Sequence, residues 1–129
     1  MKIIVTGCSG FVGFNLCKRL LVDGHDVVGI DNYLENYYIE KKKKRTKFLQ
    51  EFPNFEFHKL DVTKDEFPEH IKRADIIAHL AAKDFYYEDE VQRYSSYISN
   101  NVVGTSRVFE WGNELGIDKF IFTSTHSVY

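Results

Sequence analysis

The amino-acid sequence predicts an α/β fold, a doubly wound parallel sheet of about five strands with helices on both faces. Short runs rich in Val and Ile alternate along the chain with longer segments of helical periodicity. A length of 129 residues with 43% hydrophobic content suits one core and one compact unit. Strands that alternate with helices usually form parallel sheets through right-handed crossovers.

The first three elements are predicted to be a strand, a helix and a strand. Residues 2–6 (KIIVT) form a short β-branched run that ends at Gly7. Residues 11–22 place Leu16 and Leu20 at helical spacing, and the following Asp-Gly pair ends the helix. Residues 26–31 (DVVGID) form the second strand, which ends in an acidic residue.

The remaining elements continue the alternation. Further strands are predicted at residues 54–62, 74–82 and 118–125, and further helices at residues 38–52 and 89–115. The charge run Lys41–Arg45 (KKKKR) lies in the first of these helices, and we interpret it as a solvated helix face. No repeat, low-complexity segment or linker interrupts the pattern.

Composition excludes several classes of function. Lys and Arg total 17 against 19 Asp and Glu, a net charge of -2, so no basic field indicates nucleic acid. Cys8 and Cys17 form no disulfide framework, and the five histidines show no ligand spacing with Cys or carboxylate, so no metal site is predicted. No signal-peptide pattern and no run near about 18 apolar residues is present, which favours a cytoplasmic protein without a membrane segment.

The stretch VTGCSGFVG (residues 5–13) indicates a dinucleotide-binding turn. Gly7 permits the tight exit from the strand, Gly10 leaves room for phosphates, and Gly13 lets the helix lie close to the sheet. The start of the helix offers unpaired N–H groups to a pyrophosphate. A glycine trio can also be a simple turn, but this one follows a strand and opens a helix, the context of a Rossmann-type fold.

Asp31 at the end of the second strand selects the cofactor. Its carboxylate would accept hydrogen bonds from both hydroxyls of an adenosine ribose and would repel a 2′-phosphate. No Arg follows directly at Asn32 or Tyr33 to receive such a phosphate. We therefore predict NAD and not NADP; the simpler alternative is a turn residue at the strand end.

Six motifs together resemble the extended short-chain dehydrogenase/reductase family, among its NAD-dependent nucleotide-sugar epimerases and dehydratases. In order they are TGCSGFVG, DN, LDVT, HLAAK, YISNNVVGT and FIFTSTHSVY. The resemblance covers essentially the whole chain and corresponds to the N-terminal portion of such an enzyme, so residues 1–129 are expected to be a partial NAD(P)-binding Rossmann domain. Residues 31–45 further resemble UDP-glucuronate 4-epimerases.

The resemblance implies a role for each matching position. Backbone N–H groups of two residues in the first helical turn would contact the pyrophosphate: Phe11 and Val12. Four strand-end residues would contact the adenosine half: Asp31, Asn32, Asp61 and Val62. Four residues would line the middle of the cofactor: Leu80, Ala81, Ala82 and Lys83. Asn101 would lie near the nicotinamide, and Thr123 would lie beneath the nicotinamide ring. The Thr125 hydroxyl would be the catalytic group that hydrogen-bonds the reacting sugar oxygen.

The expected chemistry is a hydride shuttle at a sugar carbon of a UDP-sugar. The family uses a Tyr base whose pKa is lowered by a Lys four residues further on, and both are expected beyond Tyr129, with the later strands and the sugar domain. The chain alone is therefore expected to be inactive. His126 stands where the family has Ser or Ala; it could contact a substrate, crowd it or point into the core.

The sequence also leaves two other functions open and predicts self-association. The chain could be a self-standing NAD-binding module, or a remnant that binds nothing, although the intact glycines and Asp31 disfavour the latter. An edge strand at residues 118–125 would leave backbone and apolar side chains uncovered, which predicts a homo-oligomer. In the family the helix at residues 89–115 helps to build a dimer.

Overall fold

The computed structural model describes residues 1–34, 38–83 and 90–125. The strands are β1 (Lys2–Thr6), β2 (Asp26–Asp31), β3 (Phe55–Lys59), β4 (Ile76–His79) and β5 (Phe120–Phe122). The helices are α1 (Phe11–Val22), α2 (Ile39–Leu49), α3 (Glu90–Tyr97) and α4 (Gly104–Glu114). A π-helical segment, Ile98–Val103, joins α3 to α4.

The five strands form one parallel sheet in the order β3-β2-β1-β4-β5. The chain moves outward from β1 to β3 and then crosses back to place β4 on the other side of β1. The crevice at the carboxyl ends of β1 and β4 is therefore the point where the strand order reverses, which is where α/β sheets bind ligands. The predicted fold class is confirmed.

Each face of the sheet has its own apolar cluster. On one face β1 and β2 pack against α1 and α2, with these buried members: Ile3, Val5, Cys8, Cys17, Leu21, Val27, Leu49 and Ala78. On the other face the strands pack against α4 and the segment before β4, with these members: Ile4, Val28, Ile30, Val62, Ile71, Ile77, Val108 and Trp111. Alternate side chains of a strand point to opposite faces, so the consecutive apolar residues of β1 serve both clusters.

The segment between β3 and β4 is fixed to α4. Arg107 donates hydrogen bonds from Nε to the carbonyl oxygen of Val62 (3.0 Å) and from Nη2 to that of Asp65 (2.6 Å). The ring of Phe67 packs on the buried indole of Trp111, with 5.1 Å between centroids. This segment has no regular secondary structure, and α4 determines its position.

Several predicted elements are longer than the observed ones. The strand predicted at residues 118–125 pairs with β4 only over Phe120–Phe122, because its register partners are Ile77 to His79. The predicted helix at residues 89–115 is present but contains the π-helical segment. Cys8 and Cys17 are free and buried, and burial raises the pKa of the Cys17 thiol to about 12. Over the described ranges, no helix has the length and apolarity that a bilayer crossing needs.

Candidate functional site

Gly7 brings the turn after β1 against the chain that leaves β4. Its φ of +70° lies in the left-handed region, and a Cβ there would lie 2.8 Å from the Ala81 nitrogen and 2.9 Å from the Leu80 carbonyl. The Gly7 N–H donates to the Ile30 carbonyl at 2.7 Å, which holds the turn against the end of β2. A side chain at this position would force the turn out of the crevice.

Gly13 determines how closely α1 approaches the glycine turn. A Cβ on Gly13 would lie 2.1 Å from the carbonyl oxygen of Gly7 and 3.0 Å from the Cα of Cys8. The prediction placed Gly13 against the sheet, whereas the structure places it against the turn that leads out of β1. The missing side chain lets the helix begin directly above that turn.

The start of α1 is open to a ligand. Gly10 is its N-cap residue and supplies no side-chain hydrogen bond, and the first turn contains no acidic residue. The side chains of Phe11 and Val12 are 72% and 59% exposed. First-turn N–H groups have no intrahelical acceptor and carry the positive end of the helix dipole. This helix start can therefore receive an anionic group such as a phosphate.

Asp31 lies buried beside the glycine turn. Its Oδ2 accepts a hydrogen bond from the Ser9 N–H (3.1 Å), and its Oδ1 accepts one from the Tyr33 N–H (2.8 Å). Each carboxylate oxygen has a second lone pair, so the group retains capacity for two hydroxyl donors. The structure thus brings the predicted strand-end acid directly to the predicted turn.

A cleft of about 310 Å³ opens at the carboxyl ends of β2 and β3. Its lining residues are Asn32, Tyr33, Leu34, Ile39, Lys59, Leu60, Asp61, Lys64 and Asp65. Burial raises the pKa of the Asp61 carboxyl, but hydrogen bonds from Thr63 and Asn32 outweigh it and hold that pKa below its ordinary value. Asn32 and Asp61, both predicted on the adenosine half, therefore meet in this cleft as a polar pair.

Val62 was predicted to flank the adenine together with Asp61, but only Asp61 is among the lining residues of the cleft. Its side chain is buried in the cluster beneath α4, and its carbonyl accepts the hydrogen bond from Arg107. A Cβ on Gly104 would lie 2.8 Å from a Val62 methyl carbon, so α4 packs closely on it. In this structure the side chain of Val62 belongs to the core.

Two cations of α2 face the site, which corrects the interpretation of the charge run as a solvated face. Lys42 Nζ lies 3.8 Å from Asp31 Oδ1. Arg45 Nη1 donates to the Ser9 carbonyl at 3.2 Å, and its guanidinium lies 5.8 Å from the Phe11 ring centroid. Residues three apart share a helix face, which places both cations toward the glycine turn. The other three side chains are exposed: Lys41, Lys43 and Lys44.

His79 is buried beneath the crevice and hydrogen-bonds through both ring nitrogens. No role for it was predicted from the sequence. Its Nδ1 lies 2.6 Å from the Thr6 hydroxyl and its Nε2 lies 2.9 Å from the Thr105 hydroxyl. The Thr105 hydroxyl donates to the Asn101 carbonyl, so it accepts from Nε2–H, and this assigns the ring proton to Nε2. Burial lowers the pKa of His79 to about 4, so the ring is neutral at physiological pH.

The hydroxyl of Thr6 extends the same network to the chain after β4. It accepts hydrogen bonds from the N–H groups of Leu80 (3.2 Å) and Ala81 (3.1 Å). Leu80 and Ala81 are thereby held at the crevice, beside the position where a Cβ on Gly7 would collide with them. Ala82, the next residue, is exposed.

Asn101 holds the backbone of Lys83 with both ends of its side-chain amide. Its Oδ1 accepts from the Lys83 N–H at 2.7 Å, and its Nδ2 donates to the Lys83 carbonyl at 3.0 Å. The residue lies in the π-helical segment, a rare geometry that is frequent at functional sites. Asn101 thus fixes the end of the 80–83 stretch through the backbone of Lys83.

Thr123 and Thr125 follow β5 and are both exposed. The Thr123 N–H donates to the His79 carbonyl at 3.2 Å, which places Thr123 beside the end of β4. The predicted roles of these two hydroxyls remain predictions. His126 lies outside the described residues.

The strand order 3-2-1-4-5, with a glycine turn at the point of reversal, defines a Rossmann-type α/β fold. A glycine turn, an open helix start and a buried strand-end acid meet at this crevice. The chain belongs to the NAD dependent epimerase/dehydratase family, whose sequence model matches residues 3–129. The family resemblance is therefore confirmed, and NAD is confirmed as the cofactor on which the family depends.

The relatives include several nucleotide-sugar epimerases. The chain is 35% identical over 130 residues to a Bacillus subtilis protein named as an uncharacterized UDP-glucose epimerase, covering 100% of the chain and 41% of that protein. It is 30% identical to the UDP-glucuronate 4-epimerase of Thermodesulfobacterium geofontis, covering 98% of the chain and 40% of that enzyme.

A solved structure agrees with these matches. It is a variant of the Bacillus cereus UDP-glucuronic acid 4-epimerase, in complex with NAD and a fluorinated UDP-glucuronic acid. The TM-score is 0.89 at 32% identity, covering 100% of the chain and 41% of that enzyme. The chain thus spans about two fifths of the length of the proteins it resembles.

Proposed function

We propose that this chain binds NAD across the β1/β4 crevice as the cofactor-binding portion of a nucleotide-sugar 4-epimerase or dehydratase. The observation that carries the proposal is the contact between the glycine turn and Asp31, in which the carboxylate accepts the Ser9 N–H. It places a buried anion for ribose hydroxyls next to an open helix start for phosphates. NAD would supply a hydride acceptor and donor for a sugar carbon.

The adenosine and pyrophosphate half of the cofactor fits the residues present. The N–H groups of Phe11 and Val12 would bind the pyrophosphate, and Arg45 adds a positive charge beside the turn. Asp31 would hold the ribose, while Asn32 and Asp61 would flank the adenine in the cleft. The open start of α1, beside the buried carboxylate of Asp31, supports this fit.

The nicotinamide half would lie toward β4 and β5. We propose that the 80–83 stretch lines the middle of the cofactor and that Asn101 acts as a positioning residue through the backbone of Lys83. Thr123 would lie under the nicotinamide, and the Thr125 hydroxyl would donate a hydrogen bond to the reacting sugar oxygen. Hydrogen bonding of that oxygen helps to orient the sugar for hydride transfer.

The substrate proposed for the whole enzyme is a UDP-sugar. The two curated relatives described above are named as UDP-sugar epimerases, and the solved structure holds a UDP-sugar analogue with NAD. Because the chain spans about two fifths of these proteins, we propose that it does not turn over a UDP-sugar alone. We also propose a cytoplasmic location, since the two buried thiols fit a reducing compartment.

Calorimetric titration with NAD and NADP tests the proposal. We expect the wild-type chain to bind NAD more tightly than NADP, and Asp31→Asn to weaken NAD binding by about 10- to 100-fold, because a hydrogen bond to a charged group contributes about 1.5–3 kcal/mol. The difference between the affinities for NAD and NADP should be smaller in Asp31→Asn than in the wild type. Incubation of the wild-type chain with NAD and UDP-glucuronic acid is expected to give no 4-epimer.

Asp23→Asn is the matched control, because Asp23 is an exposed carboxylate that pairs with Arg19 at the far end of α1. It should bind NAD as the wild type does. Circular dichroism would confirm that both variants fold. Equal affinity of wild type and Asp31→Asn for NAD would contradict the assigned site, and a 4-epimer product would contradict the proposed inactivity.

A further inference from the structure

Glu56, His58 and His70 form a side-chain cluster outside the nucleotide cleft. Each offers one ligand atom, and the three atoms lie within 4.8 Å of one another. His58 Nε2 lies 2.8 Å from Glu56 Oε1, and His70 Nε2 contacts the same oxygen. Sequence reasoning found no histidine paired with a carboxylate at ligand spacing, and the structure corrects this for two of the five histidines.

The strand geometry of β3 places two of these groups together. Glu56 and His58 are two residues apart on β3, so their side chains point to the same face of the sheet. Phe55 and Phe57, which alternate with them, pack against the cluster under α1 and α2 on the opposite face. This alternation fixes the direction of both polar side chains.

His70 reaches the cluster from the segment between β3 and β4. The next residue, Ile71, is buried in the cluster beneath α4, and its N–H donates to the Pro68 carbonyl at 3.0 Å. The backbone on one side of His70 is therefore anchored, while its side chain is 63% exposed and free to adjust. The cluster joins the sheet to a segment that is otherwise held by α4.

We propose that Glu56, His58 and His70 bind a divalent transition-metal ion, for which zinc is the reference. Two imidazoles and a carboxylate are a donor set found in zinc sites that keep a fourth position open, and imidazole favours zinc, copper or nickel over magnesium or calcium. Glu56 and His70 are partly exposed, so the ion has a path from solvent and room for a water ligand.

The geometry needs only a small adjustment to accept the ion. Zinc bonds of about 2.0–2.2 Å place neighbouring tetrahedral ligand atoms about 3.3–3.6 Å apart. The Glu56 oxygen now accepts hydrogen bonds from both Nε2–H groups, so it must withdraw from both nitrogens, by about 0.5–0.8 Å from His58 Nε2. Each ring proton must move to Nδ1, so that the Nε2 lone pair can bind the ion. The exposed His70 and Glu56 side chains can make this change without moving β3.

A bound ion would tie β3 to the segment between β3 and β4. That segment begins at the cleft, where Asp61 and Lys64 line the wall, and it continues to His70. A ligand that binds only the folded state stabilises it by RT ln(1 + c/Kd), an amount that grows with the free ligand concentration c. The site would therefore stabilise the wall of the cleft without contacting a nucleotide.

Zinc titration of the untagged, metal-stripped chain tests the site in the absence of NAD, so its outcome is independent of the proposed function. We expect one zinc ion per chain by calorimetry and a melting temperature that rises with zinc concentration. His70→Ala and Glu56→Gln should each bind zinc at least ~10-fold more weakly, because loss of even an outer partner of a ligand costs about that much. Magnesium should not compete.

His25→Ala is the matched control, because it removes a histidine outside the cluster, directly before the start of β2 at Asp26. It should bind zinc as the wild type does. Cobalt substitution gives a second readout, a visible absorption of tetrahedral cobalt that His70→Ala should lose. Equal zinc affinity in wild type and His70→Ala, or no zinc binding by the wild type, would show a hydrogen-bonded cluster only and would overturn the proposal.

Discussion

Gly13 shows how one absent side chain positions the glycine turn relative to its helix. The carbonyl oxygen of Gly7 occupies the place where a Cβ would stand. The oxygen is a main-chain atom and the direction of a Cβ is fixed by the backbone, so neither can rotate away and a larger residue must displace α1 or the turn. The arrangement of the three glycines and Asp31 could be predicted from sequence because it depends on one short turn and the strand beside it.

Gly13→Ala is expected to lower the free energy of unfolding by about 3 kcal/mol or more, because the added carbon would lie 2.1 Å from the Gly7 oxygen. Gly24→Ala is the control: nothing lies within 4 Å of its added carbon, and its φ of +82° alone should cost about 1–2 kcal/mol. Urea denaturation followed by circular dichroism measures both. Equal losses would show that crowding at Gly13 is relieved by small shifts.

Arg45 and His79 could not be predicted in the same way. The direction of Arg45 depends on which face α2 packs against the sheet, and a run of five cations does not specify that face. His79 depends on Thr6, which is 73 residues away in sequence. The contacts of both residues arise from tertiary packing, which local patterns do not contain.

The hydrogen bonds around His79 join β1, β4 and α4 at the crevice. Thr6 ends β1, His79 ends β4, and Thr105 lies in the first turn of α4. Each hydroxyl both donates and accepts within this network, which requires a neutral imidazole with its proton on Nε2. Protonation of the second nitrogen would remove the acceptor of the Thr6 hydroxyl.

Stability is therefore expected to fall as the pH is lowered. Above pH 6.5 the imidazole is neutral in the folded and unfolded states and contributes no pH dependence. Below that pH the unfolded chain binds a proton at His79, whereas the folded chain does so only near pH 4. The free energy of unfolding should therefore fall by about 3 kcal/mol between pH 6.5 and pH 4. Urea denaturation at a series of pH values measures the slope.

His79→Asn should flatten this pH dependence, because the variant has no group to titrate at this position. At neutral pH the difference in free energy of unfolding between His79→Asn and the wild type measures the lost hydrogen bonds alone, because the imidazole is neutral there. His25→Asn, which changes a histidine outside the network, should keep the wild-type slope. An unchanged slope in His79→Asn would contradict the assignment of the neutral ring.

The bounds of β1, α1 and β2 agree with those predicted from sequence. Each of these elements ends at a local signal: Gly7, the Asp23-Gly24 pair and the strand-end Asp31. The later strands were predicted too long, because their ends depend on how many partner residues the neighbouring strand offers. The π-helical segment has no sequence signal that distinguishes it from an α-helix.

The described sheet ends at β5 with apolar side chains in contact with solvent. Ile121 and Phe122 are 56% and 55% exposed, and β5 pairs with β4 along its other edge. The surface of the π-helical segment adds exposed Ile98 and Val102. An uncovered edge strand with apolar neighbours favours pairing with another chain.

Self-association of the 129-residue chain is therefore expected. Light scattering across a concentration series should show a mass above 15.1 kDa that rises with concentration. Ile121→Lys should shift the chain toward monomer, because a charge on an edge strand opposes pairing. Val22→Lys, the same kind of change at a residue that is at least as exposed, at the end of α1, should not. Monomeric wild type at all concentrations would contradict the expectation.

The packing of Phe67 on Trp111 gives the molecule an internal optical reporter. The chain contains one tryptophan, so its emission comes from a single place in the core. That place is the contact between α4 and the segment between β3 and β4, which carries both Asp61 and His70. A change in emission would therefore follow loosening of this segment, and its spectrum could be recorded without attaching a dye.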